Sequence, residues 1–252
     1  MVGSTFSIAG PNIVLNTAVA EVLRQFADTL EQSDDFTSAL SSLVRDTYRK
    51  HKRIIFNGNN YSDEWVVEAE RRGLSNLKTT VDALPRLVSE KSIDLFTKHR
   101  VFTETEIHSR YEILLESYCK TLNIEALAMV DIAKGRIIPA CLDYQNELIA
   151  LLEKKKSCGG YDISVEEYLL DRIVKQTACL LKKLISLESV ISESSELRLG
   201  KEQDILAQAV FYRDQICAAM AELRLIADEL ETLVANKHWP LPSYAHLLYS
   251  VI

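Results

Sequence analysis

Glycine and proline are scarce: the 252 residues include only 8 Gly and 5 Pro. So few chain breakers exclude a strand-rich fold with many tight turns and leave long helices as the natural alternative. Long apolar runs are also missing. None approaches the roughly 20 residues a membrane span needs, and the N-terminus lacks the basic start and apolar stretch of a signal peptide. The five cysteines, Cys119, Cys141, Cys158, Cys179 and Cys217, are odd in number, scattered, and nowhere two residues apart. That spacing excludes a zinc knuckle and a disulfide framework and reads as reduced, mostly buried thiols of a cytosolic protein. Positive charge is in deficit, with 29 Lys and Arg against 36 Asp and Glu and a net charge of −7. A surface of that sign excludes general affinity for nucleic acid or anionic membrane. These absences together describe a soluble, cytoplasmic chain.

Helical periodicity dominates. Pro11 can stand in the first turn of a helix, where its missing N–H costs nothing, and Val14, Val19, Val22, Leu23, Phe26 and Leu30 follow as an apolar face. A second helix is expected over Thr37–Lys52, ending in the cations Arg49, Lys50, Lys52 and Arg53, which suit the negative end of the helix dipole. The run Ile54-Ile55-Phe56-Asn57-Gly58-Asn59-Asn60-Tyr61 is irregular, with Asn-Gly as a turn signal because both residues tolerate positive φ. Ser62 is expected to cap a short helix carrying Trp65 and stopping near Gly73. Short helical pieces follow over Thr80–Val88, with Pro85 inside, and Ser92–His99.

Three long apolar seams occupy the remainder. The first is Leu115, Cys119, Leu122, Ala126, Met129 and Ala133, in a helix that Pro139 is expected to kink or break before it runs on to about Lys155. A loop at Ser157-Cys158-Gly159-Gly160 leads to the second, Leu169, Ile173, Thr177, Leu180, Leu184, Leu187 and Ile191. The third is Ile205, Ala209, Tyr212, Ile216, Ala219, Leu223, Ile226, Leu230 and Leu233. Alternating steps of three and four are the seam of helices packed at a shallow angle. The fold class is therefore all-α, an elongated antiparallel bundle of long helices with a loop-rich helical segment. A final turn, Trp239-Pro240-Leu241-Pro242, precedes a short helix capped by Ser243.

No catalytic, cofactor-binding or metal-ligating residue emerges from this pattern. A di-metal centre inside a bundle needs Glu-x-x-His pairs on facing helices, whereas Glu104 and Glu106 precede His108 by the wrong spacings. Glu104–His108 reads instead as a surface i,i+4 contact. His51 and His99 read as solvated, and His238 and His246 as packing or capping groups of the terminal turn. Gly159-Gly160 lacks the Gly-Lys-Ser/Thr ending of a phosphate-cradling loop, and no Cys or Ser belongs to a recognisable nucleophile motif. The basic cluster at 45–53 could touch an acidic partner or nucleotide, but helix-end charge compensation explains it.

Several stretches resemble glutamine synthetase type III. They are Met1-Val2-Gly3-Ser4 with Ser7-Ile8-Ala9-Gly10-Pro11-Asn12 through Thr17; Ile54 through Trp65, with Glu68-Ala69-Glu70-Arg71-Arg72-Gly73-Leu74 and Asn76 through Thr80; Glu106 through Glu116 with Asn123 through Leu127; and Ala227 through Glu231 with Trp239-Pro240-Leu241-Pro242-Ser243-Tyr244. Together they spread over nearly the whole chain. The resemblance implies a parent enzyme that joins ammonia to glutamate through a γ-glutamyl phosphate, using ATP and Mg or Mn. It also implies that the metal-holding carboxylates lie in a catalytic domain on the N-terminal side, so that this chain alone is inactive. On that basis residues 1–35 are expected to be the end of the catalytic domain (strand stub and helix), 36–102 short helices with an irregular loop, and 103–252 the long-helix bundle. The implied partners are the catalytic domain and neighbouring subunits of a ring-shaped oligomer, with homo-oligomerisation open to the chain itself. Without its catalytic neighbour, the first-helix face carrying Val19, Val22 and Phe26 is expected to be bare. The rival reading is an autonomous helical adaptor or regulator; a di-iron enzyme is disfavoured by the missing Glu-x-x-His pairs.

Overall fold

The computed structural model describes residues 7–199, 204–242 and 244–249. The short strand expected ahead of the first helix and the Ser243 cap lie outside them. Among the described residues every regular element is a helix and there is no strand, as the spacing of the seams and the shortage of breakers require. The chain divides into two compact units, Met1–Leu114 and Leu115–Ile252.

In the first unit, α1 (Ala9–Glu31) packs on α2 (Phe36–His51) and α5 (Glu90–Lys98). Asp35 caps α2 by accepting from the backbone N–H groups of Thr37 and Ser38, both at 3.1 Å, and the helix ends in Arg49, Lys50 and His51. α3 (Asp63–Arg71) begins after Ser62, but the Ser62 hydroxyl donates to Asn59 O at 2.9 Å and makes no cap. Its far end is a Schellman motif: Leu74 N–H donates to Ala69 O and Gly73 N–H to Glu70 O, with Gly73 at φ +70°. Pro85 falls in a 3₁₀ turn, Leu84–Arg86, directly after α4 (Thr80–Ala83). α5 ends in the same Schellman pattern, with Val101 N–H donating to Phe96 O, but the residue at φ 53° there is Arg100. Val81, Phe96 and Ile107 are buried.

The division between the units falls within α6 (Glu104–Ile132). A capping box opens this helix: Glu106 accepts from Thr103 N–H at 2.8 Å and from the Thr103 hydroxyl, while Glu106 N–H donates back to the Thr103 hydroxyl.

The second unit is a three-layer antiparallel bundle. α6 passes through a π turn, Ala133–Ile137, into α7 (Ile138–Cys158). Pro139 therefore does not break the helix. Lacking an N–H and crowding the carbonyl four residues back, it is accommodated by a widened turn in which Ile138 N–H donates to Ala133 O. The extra residue in that turn keeps Ala133, Ile137 and Cys141, four apart, all buried. α7 continues through Cys158, so the expected loop shifts to residues 159–163. It opens on Gly159 and Gly160, at φ +70° and +80°. α8 (Ser164–Leu199) lies between α7 and the pair α9 (Ile205–Phe211) and α10 (Cys217–Leu233). A second π turn, Tyr212–Ile216, joins α9 to α10; nothing in its residues demands it.

Polar pairs fix the register. Lys134 meets Glu188, Gln145 meets Thr177 at 3.2 Å, and Lys155 meets Glu166 at 2.6 Å, so rising numbers on one helix meet falling numbers on α8. Likewise Arg172 pairs with Glu229 and Lys183 with Glu222. The seams fill the space between: Ile173, Leu180, Leu184 and Leu187 of α8 and Tyr212, Ile216, Leu223 and Leu230 opposite are all buried. The expected short helix is found as α11 (Tyr244–Tyr249).

Candidate functional site

The irregular segment after α2 is built around one side chain. Phe56 and Trp65 stack with ring centroids 4.5 Å apart, and the Arg72 guanidinium lies 5.9 Å and 5.8 Å from their centroids, within cation–π range. Arg72 also donates to the main-chain carbonyls of Arg53 and Ile55, at 3.1 and 2.7 Å, and to Glu68 at 2.5 Å. One guanidinium thus pins the loop to α3. The Glu68 carboxyl is held down at about 2 by hydrogen bonds from Arg71 and then Arg72. Asn57 and Gly58 do not take positive φ, contrary to the expected turn chemistry. Gly58 serves instead as space for the Phe56 ring, because a Cβ there would lie 2.6 Å from it. Beside this arrangement opens a cleft of about 450 Å³ lined by Tyr48, Lys52, Arg53, Ile55, Asn57, Arg71 and Arg72. Lys52 and Arg53 come from the basic cluster visible in the sequence. Arg71 and Arg72 join that cluster only through folding; the Arg-Arg pair closing α3 is their signal in the sequence.

The histidines differ from one another. His51 is exposed, as expected. His99 is not solvated: its Nε2 is 2.7 Å from Glu21 Oε2 and its side chain is largely covered. The same carboxylate accepts from Arg24, Lys98 and Gln25, and these hydrogen bonds, Arg24 first, hold Glu21 well below the usual carboxylate range. His238 packs against Tyr144 at 5.5 Å between ring centroids and lies 2.8 Å from Glu147 Oε2, the packing role expected of it. His246 is exposed on α11. The expected Glu104–His108 contact is not among the hydrogen bonds or ion pairs of these described residues, while Glu106 is committed to Thr103.

Buried polar groups sit inside the seams of the second unit. Tyr212 Oη donates to Asn123 Oδ1 at 3.2 Å and lies 3.3 Å from Ser194 Oγ. Burial first, and then the neighbouring Cys217, push the Tyr118 phenol up to about 12. Burial likewise raises the thiols of Cys141 and Cys217. All five cysteines are thiols rather than disulfides; Cys119 and Cys141 are buried, but Cys158 is exposed at the end of α7. For the divalent metal implied for a parent synthetase, the described residues offer no ligand set. Among the described residues no three His, Cys, Asp or Glu side chains come together to hold an ion.

Residues 39–156 match the family described as glutamine synthetase C-terminal domain. The chain is 37% identical over 219 residues to a glutamine synthetase of Butyrivibrio fibrisolvens, a match covering 86% of this chain and 31% of that protein. The chain belongs to the glutamine synthetase family. It is also 32% identical over 258 residues to the type-3 glutamine synthetase of Dictyostelium discoideum, covering 98% of this chain and 34% of that protein. A glutamine synthetase of Bacteroides fragilis is 29% identical over 257 residues, with 98% and 35% covered. The chain thus spans about a third of the length of these relatives, and the C-terminal domain match over residues 39–156 is what assigns it to their C-terminal part. No helix among the described residues is long and apolar enough to cross a membrane.

Proposed function

We propose that this chain is the helical scaffold of a type III glutamine synthetase, non-catalytic by itself. In the whole enzyme, which ligates ammonia to glutamate with ATP and Mg or Mn in the cytoplasm, it docks on the catalytic domain and braces the subunit within its ring. The supporting observation is the uncovered apolar surface of the first unit. On α1, Leu15 is 63% and Leu23 60% exposed, with Val14, Val19 and Val22 exposed beside them; on α2, Val44 is 60% exposed and Leu40 is exposed too. Phe26, expected in the same bare face, is half-buried. Exposed apolar side chains in such number on two packed helices mark a surface made for a partner. The remaining two thirds of a synthetase is the partner that the length comparison offers.

The test is twofold. The purified chain is assayed for ligase and γ-glutamyl transferase activity, where turnover above a blank overturns the reading. It is then co-expressed with the catalytic portion of a type III synthetase. Co-elution by wild type, lost in Leu15→Asp/Leu23→Asp, is expected. Equal co-elution of the variant overturns the docking surface.

A further inference from the structure

The cleft beside Arg72 is a feature that scaffolding does not require. Its walls bring Lys52 and Arg53, just after α2, against Arg71 and Arg72 at the end of α3. The acid identified among these cations is Glu68, which Arg71 grips through two nitrogens at 2.6 and 2.7 Å and Arg72 through one at 2.5 Å. After these bonds, and those of Arg72 to the carbonyls of Arg53 and Ile55, Arg71 Nη1 and Arg72 Nη2 have no acceptor among the described residues. The side chains of Lys52 and Arg53 have no hydrogen-bond or ion-pair partner among those residues either. Four cations against one carboxylate leave a surplus of three in a protein whose net charge is −7. Arg72, anchored to two carbonyls and two aromatic rings, is preorganised, which lowers the entropy lost on gripping an anion.

We propose that this cleft binds a small phosphate-bearing anion. A phosphate group carries close to two negative charges and several acceptor oxygens, which matches a surplus of several cations. Guanidinium forks hold such oxygens in pairs, and Tyr48 and Asn57 add residues with neutral donors to the lining. The volume of about 450 Å³ falls in the usual range of small-molecule sites, roughly 300–1,000 Å³. The four cations lie at residues 52–72, outside α1 and α2, with only Tyr48 drawn from α2; binding is read on the purified chain without the catalytic portion, so its failure and a failure of docking are told apart.

The experiment titrates the purified chain with inorganic phosphate and with pyrophosphate, against citrate as a multiply charged carboxylate at matched ionic strength. Calorimetry is the readout, supported by tryptophan emission, to which Trp65 beside Arg72 and Trp239 both contribute. Expected are saturable binding of one pyrophosphate per chain, weakening with added salt, and a loss of about tenfold or more in Lys52→Gln/Arg53→Gln. Because neither side chain has a partner among the described residues, far-UV circular dichroism stays that of the wild type. Arg71→Gln is the second variant should the double one not fold, and Lys120→Gln on α6 is the control that binds like wild type. Absence of saturation, undiminished binding in the variants, or citrate binding as tight as pyrophosphate would each overturn the proposal.

Discussion

Glu21 Oε2 on α1 lies 2.7 Å from His99 Nε2 at the end of α5, 78 residues along the chain. Lys98 reaches the other oxygen at 2.9 Å, and Arg24 and Gln25 complete the set from α1 itself. Two helices distant in sequence are thus joined through one carboxylate. Because these donors favour the ionised form, its folded-state value lies below the ordinary 4.5. The resulting stabilisation is whole at neutral pH, starts to fade as pH falls through about 4.5, and is gone only below the depressed folded-state value. Glu21→Gln is expected to melt at a lower temperature than wild type at pH 7, with the gap closing as pH falls below 4.5. Melting curves of both proteins from pH 7 to pH 3 check this; a gap independent of pH contradicts it.

Gly58→Ala tests the loop. Its new Cβ would overlap the Phe56 ring at 2.6 Å, and that ring is stacked on Trp65 with Arg72 beside both. The ring must move, at a cost of about 1 kcal/mol, and the Trp65 stack is expected to open. Near-UV circular dichroism and denaturant midpoint report this together. An unaltered Trp65 signal would mean the ring moves without leaving the stack.

The long seams are legible in the sequence because burial follows spacing there: Ile173, Thr177, Leu180, Leu184 and Leu187 are all buried, as three-and-four periodicity demands. Partners chosen across long sequence distances leave no periodic trace. Arg72 reaches carbonyls 17 and 19 residues away, and a main-chain carbonyl carries no side-chain signature. Spacing marks Tyr212 as an apolar seam residue; its ring is one, but its hydroxyl belongs to Asn123 and Ser194. Pro139 carries the signal of a breaker, yet a π turn relieves the same clash by taking in one extra residue. The cleft is half visible, as a basic run whose second wall, Arg71 and Arg72, is brought in by folding.

Arg100 bears a backbone strain that glycine would not. It stands at φ 53°, in the position after α5 that Gly73 fills after α3. A side chain in the left-handed region costs about 1 kcal/mol, and Arg100 is exposed. Arg100→Gly is therefore expected to hold or raise the urea midpoint, the relief of strain being offset in part by a freer unfolded chain. A clear drop would show that the arginine side chain contributes more than its conformation costs.

The register of the last long helix makes the sharpest contrast between neighbouring positions. Ala219 on α10 is buried, while Leu225, six residues on, is 69% exposed on the other side. Hydrophobicity alone would rank Leu225 as the more damaging site for a charge; geometry reverses the order. Ala219→Glu places an unpaired carboxylate in the packed contact with α8 and is expected to cost on the order of 3 kcal/mol. Leu225→Glu stays within about 0.5 kcal/mol of wild type. Urea unfolding of the two variants decides between them, and equal midpoints would mean that α10 turns a different face toward α8.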